Sequence, residues 1–193
     1  MKSNTTLVIT ILIGSIICIV LGACLTCGTA SMIGFSISDL AGDGISNPGT
    51  SNGAIATGEI APDFSLENLD GEWVSLSQFR GQPVLINFWS AWCGPCVDEI
   101  PAIRSSFQQY YPNLVVLAIE SDTSRNDLIE FSRDKDIPYP ILLGSDSITR
   151  QYRIQAYPTS FFVDADGVIQ SVVIGGMSTA DLDRELAKIG LGD

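Results

Sequence analysis

Cys93 and Cys96, in the run Trp92-Cys93-Gly94-Pro95-Cys96, are the residues of this 193-residue chain whose type and spacing best suit chemistry. A bridge closing so short a loop gains little closure entropy, so the pair calls for catalysis or metal binding rather than a structural staple. A zinc site needs two further ligands, and beyond Cys18, Cys24 and Cys27 near the N-terminus the chain has no other Cys, and no His at all. Thiol–disulfide exchange remains. The apolar run Val84 to Trp89 ends just before the pair, and the pattern that follows predicts a helix starting at or near Cys93. Unpaired N–H groups and the helix dipole at such a terminus favour an anion. They hold the Cys93 thiol below the free-cysteine value of about 8.5 and make it the attacking nucleophile. Cys96, one turn on, is placed to attack the mixed disulfide and resolve it. Pro95 fits a first turn, where its missing N–H costs nothing, and Gly94 keeps the approach to Cys93 open. Trp92 is read as a rim on which substrate docks.

The elements that must hold this pair follow from periodicity. Val84 to Trp89 and Leu114 to Ile119 read as buried strands. Between them Val97, Ile100, Ile103 and Phe107 keep helical spacing, with Pro101 expected to kink the helix and Tyr111-Pro112-Asn113 closing it. A second helix is predicted over Ser124 to Lys135, with Ser124 as its cap, then a short strand at Ile141 to Leu143 and a helix from Ser145 to Tyr152. Strands at Ser160 to Val163 and Val168 to Ile174 flank the turn Asp164-Ala165-Asp166-Gly167, and Thr179 to Ile189 is a last helix. This order implies an α/β fold, a mixed sheet with helices on both faces.

The front of the chain differs. From Leu7 to about Ile33 no residue is charged, long enough at ~1.5 Å per residue to cross a ~30 Å hydrocarbon core. The expected organisation is a cytoplasmic N-terminus at 1–6, a transmembrane anchor at 7–33, a flexible linker at 34–58 and a folded domain at 59–193. Lys2 before the apolar segment, with Asp39, Asp43 and Glu59 after it, puts the domain outside the cytoplasm. A cleaved signal segment and a lipoprotein signal, with Leu21-Gly22-Ala23-Cys24 lipidated at Cys24, are the rival readings, and both also export the domain. Ser36 to Gly58 is rich in Gly, Ser, Asn and Thr, a composition that suits a tether. A net charge of -12 argues against nucleic acid as a partner. Without His there is no Ser-His-Asp arrangement and no C-x-x-C-H haem site, so no metal and no cofactor beyond the cysteine pair is expected.

Trp92-Cys93-Gly94-Pro95-Cys96 resembles the thioredoxin active site. Gly58-Glu59-Ile60-Ala61-Pro62-Asp63-Phe64-Ser65-Leu66, Asn87-Phe88-Trp89 and Glu99-Ile100-Pro101 are similar to the TlpA/ResA branch of membrane-anchored thioredoxins, over roughly Gly58 to Gly190. Tyr157-Pro158-Thr159-Ser160-Phe161-Phe162 resembles the family's cis-proline segment. The resemblance implies a thioredoxin-like fold and a cis Pro158 facing the cysteines, with Tyr157 helping to hold substrate backbone. It implies protein disulfides as substrates, a membrane electron donor, and a role like that in cytochrome c maturation. Cytosolic thioredoxins carry a buried Asp where this chain has Asn87, and a neutral amide cannot take the proton of the resolving cysteine. Glu99, three residues past Cys96, and Glu120, at the end of a strand, are the candidate acceptors. Glu120 is preferred, because a strand end beside the active-site strand can point toward the cysteines. Two other functions compete. One is a peroxiredoxin-like peroxidase, which shares the Ala61-Pro62-Asp63-Phe64 opening and has Ser90 in its expected place, although Ile86 stands where that branch has Pro. The other is a non-catalytic tethered module that binds client proteins.

Overall fold

The computed structural model describes residues 55–192. The anchor expected at 7–33 and nearly all of the expected linker lie outside the described residues. Among the described residues no helix is long and apolar enough to cross a membrane.

Two short strands come first, β1 (Ser65–Glu67) and β2 (Trp73–Ser75), paired antiparallel with Ser65 opposite Ser75. Gly71, at φ +89°, makes the turn between them. Next come a 3-10 turn at Leu76–Phe79 and then β3 (Val84–Trp89), α1 (Gly94–Tyr110), β4 (Val115–Glu120), α2 (Arg125–Asp134) and β5 (Ile141–Leu143). The chain continues as α3 (Asp146–Gln151), β6 (Thr159–Val163), β7 (Ile169–Ile174) and α4 (Thr179–Ala187). The five longer-range strands form one sheet in the order β5-β4-β3-β6-β7. β3 runs parallel to β4 and antiparallel to β6, so the sheet is mixed as expected.

All six residues of β3 are buried, as a central strand covered on both faces requires. Side chains alternate between the faces. Leu85 and Trp89 join Val116, Ala118 and Phe162 under α1, α2 and α4, which contribute Ile100, Ile103, Leu128, Leu182 and Leu186. Val84, Ile86 and Phe88 face the other way, toward Ile148 and Tyr152 and the early residues Phe64 and Leu76. Asn87 shares the parity of Leu85 and Trp89 and therefore lies on the α1 face.

The helix boundaries follow local chemistry. Ser124 and Ser178 cap α2 and α4, each accepting the N–H three residues on. α1 continues through Pro101 to Tyr110, leaving the Val97 carbonyl without its helical donor.

Candidate active site

β3 delivers the chain to Cys93, and Cys93 is the N-cap of α1. The backbone N–H of Cys96 donates to Cys93 Sγ at 3.3 Å, so the sulfur occupies the position that a Ser or Asp oxygen takes in an ordinary cap. Pro95 sits in the first turn, as its missing N–H allows. Cys93 and Cys96 are joined by a disulfide with Cα atoms 5.3 Å apart. Cys93 is 6% exposed and Cys96 1%, so Cys93 is the more accessible residue of the pair, though less open than the sequence suggests.

Antiparallel pairing sets Thr159 opposite Phe88, which brings Pro158 beside the end of β3, where the cysteine turn leaves the sheet. The Tyr157–Pro158 peptide bond is cis, as is Tyr111–Pro112. Trp92 is 69% exposed and meets the Tyr157 ring edge-on at 6.1 Å, an aromatic shelf next to the disulfide. Burial, and after it the charge of Asp122, pushes the Tyr157 phenol up. The backbone after β7 closes the other side. A Cβ on Gly176 would lie 3.0 Å from the Pro95 carbonyl, so any larger residue would make one of the two backbones give by a few tenths of an ångström.

Behind the cysteine turn, Glu99 is 2% exposed and, among the described residues, paired with no cation. Its Oε1 accepts from Asn87 Nδ2 at 2.9 Å and its Oε2 from the Met177 N–H at 3.1 Å. Burial pushes its carboxyl up to about 7, against the pull of these two donors. Glu99 lines a cavity of about 290 Å³ with Pro95, Asp98, Gly176 and Met177. It lies three residues beyond Cys96 on the same helix, hence on the same face.

Glu120 is placed differently from what its strand-end position suggests. It lies beside Trp89 in register, but its Oε1 accepts the Ser90 and Thr123 hydroxyls at 2.9 and 2.7 Å, and its Oε2 the N–H groups of Asp122 and Thr123 at 3.1 and 2.8 Å. Four donors saturate it, and its work is to pin the turn after β4. Ser90, whose hydroxyl the peroxidase reading requires near Cys93, is committed to the same carboxylate.

Sequence reasoning did not reach Ser160, Gly176 or Met177. Ser160 is the register partner of Asn87 and takes its second amide N–H at 2.9 Å, a contact that counting residues along both strands would have revealed. Gly176 and Met177 carry no such signal, since their roles lie in the backbone. Among the described residues no cluster of His, Cys, Asp or Glu is arranged to hold a metal ion.

Comparisons with known proteins give the family and the fold. Residues 57–172 match the AhpC/TSA family. The thioredoxin-like protein YneN of Bacillus subtilis is 36% identical over 135 residues, covering 68% of this chain and 79% of that one. The thiol-disulfide oxidoreductase ResA of Geobacillus kaustophilus is 32% identical over 142 residues, covering 72% and 82%. A solved thiol:disulfide interchange protein of the thioredoxin family from Chlorobium tepidum superposes with a TM-score of 0.64 at 27% identity, covering 70% of this chain and 99% of that one. With a helix-capping disulfide set at the end of the central strand of a thioredoxin-like sheet, the chain belongs to the AhpC/TSA family and is a thiol-disulfide oxidoreductase of the ResA type.

Proposed function

We propose that the protein reduces disulfides of client proteins outside the cytoplasm, held to the membrane by residues 7–33 and recharged by a membrane dithiol donor. The observation that carries the reading is the pairing of a disulfide at the N-terminus of α1 with a buried Glu99, its carboxyl pushed up by burial, one turn past Cys96 on the same face.

In the working direction the reduced Cys93 thiolate attacks one sulfur of a client disulfide. A mixed disulfide forms and the other client sulfur leaves as thiolate. Cys96 gives its proton to Glu99, attacks Cys93 Sγ and expels the second client thiolate. The client has then gained two electrons and the Cys93–Cys96 disulfide is restored. A carboxyl balanced near neutrality suits this transfer, being ionised often enough to accept and weak enough to release. Glu99 takes this role in place of Glu120, which is saturated by four donors. Trp92, Gly94, Pro95, Tyr157 and Pro158 form the surface on which client backbone lies. A client like the apocytochromes of cytochrome c maturation fits a reductase that works where disulfides persist.

Replacing Cys96 by Ser tests attacker and client together. Cys93 then remains bonded to its natural partners, which are identified from the trapped complexes. Absence of any mixed disulfide, or trapping through a cysteine other than Cys93, overturns the reading. The direction of transfer is read from the reduction potential. A value near about -270 mV fits a reductase, and one near about -120 mV makes the protein an oxidant.

A further inference from the structure

Asn87 is the position at which this chain departs from cytosolic thioredoxins, and the exchange steps themselves give it nothing to do. It is 3% exposed, in the central strand, on the face that carries α1. Its Nδ2 is shared between two acceptors, Glu99 Oε1 and Ser160 Oγ, both at 2.9 Å. Ser160 sits directly across the β3–β6 ladder from it, so the amide is held by the register of the sheet and not by a mobile loop. It cannot swing from Glu99 without also giving up Ser160.

We propose that Asn87 is a positioning residue that sets the proton affinity of Glu99, with Ser160 fixing the plane of its amide. The proposal rests on the role given to Glu99 above. An N–H aimed at a carboxylate oxygen stabilises the anion, and here it opposes burial, which favours the protonated acid. Met177 supplies a second such donor, to Oε2. Another charged group around Glu99 is Asp98, beside it on α1 at the same cavity, whereas the two cysteines at the start of that helix are joined as a disulfide and do not titrate in the oxidised protein. From the loop before β5 comes Tyr139, whose phenol is pushed up by burial and by Glu99 and pulled down by Arg104. None of these lies in β3 or β6, so Asn87 and Ser160 are the sheet's contribution to the balance. An aspartate at 87 would set a second carboxyl against Glu99, and that repulsion gives a physical reason for an amide here.

The test is a pH titration of the Glu99 carboxyl carbon by NMR in the oxidised full-length protein, wild type against Asn87→Leu, which keeps the branched shape and heavy-atom count and removes the donor. The midpoint is expected to rise by about one unit, a roughly tenfold loss of ionised Glu99 at pH values well below both midpoints. The pH limb of disulfide reduction moves with it, and in a Glu99→Gln background Asn87→Leu causes no further movement. An unmoved midpoint in folded Asn87→Leu overturns the proposal. If that variant does not fold, Asn87→Asp, which replaces the donor by an acceptor, must raise the midpoint at least as far, and an unshifted value there overturns it equally. Failure of the underlying reading is seen separately, because Glu99→Gln alone would then leave the rate profile unchanged.

Discussion

At the scale of single residues, two glutamates equally visible in the sequence have opposite fates. Glu120 is saturated by two hydroxyls and two N–H groups, whereas Glu99 has two donors and a cavity wall. Sequence spacing placed both near the cysteines but could not say which was already satisfied, since that depends on the turn at 121–123. Glu99→Gln is expected to abolish the near-neutral limb of the pH–rate profile for disulfide reduction. Glu120→Gln is expected to keep that limb and to lose about 1–3 kcal/mol of stability, measured by denaturant unfolding, because buried donors are left unpaired. Glu99 also couples folding to pH. Its carboxyl holds the proton up to about 7 in the native state against 4.5 as the ordinary value. Its contribution is therefore complete below the unfolded value and is lost as pH rises through about 7. Stability should fall by up to about 3 kcal/mol across that window relative to Glu99→Gln, checked by melting both proteins from pH 4 to 8.

Among the elements, those with a strong period or a cap were legible. β3 and β4 announce themselves as continuous apolar runs, and Ser124 and Thr179 mark helix starts to within a residue. The β1–β2 hairpin was not legible, because three-residue strands are too short to show a period. The loop after β7 escaped for another reason. Its contribution to the site is a bare backbone, Gly176 against the Pro95 carbonyl and the Met177 N–H on Glu99. Gly176→Ala must push that backbone away from the cysteine turn, weakening the Met177 contact. The expected result is about 1 kcal/mol or more of lost stability together with an upward shift of the pH limb. Ser178→Ala, two residues on, removes the cap of α4 and is expected to cost about 1 kcal/mol while leaving the pH profile in place. Unfolding curves and pH–rate profiles of the two variants separate backbone contact from helix stability.

For the whole molecule, the charge balance of 22 acidic to 10 basic residues bears on which clients arrive quickly. Asp98 lines the cavity beside Pro95, and the charge of Asp122 acts on Tyr157. A disulfide peptide bearing Lys or Arg should therefore be reduced faster at low salt than one bearing Asp or Glu, and the gap should close as ionic strength passes about 0.1 M. Equal rates for the two peptides at low salt would show that the field does not steer encounter. The same fold also carries a light meter. Of the three tryptophans, Trp89 shares the buried cluster with both cysteines, Trp92 adjoins Cys93, and Trp73 stands exposed on the first hairpin. A disulfide accepts an electron from a nearby excited indole and darkens it. Reduction should therefore brighten Trp89 and Trp92 over a steady Trp73 background, so that each client turnover is visible as fluorescence without any attached dye.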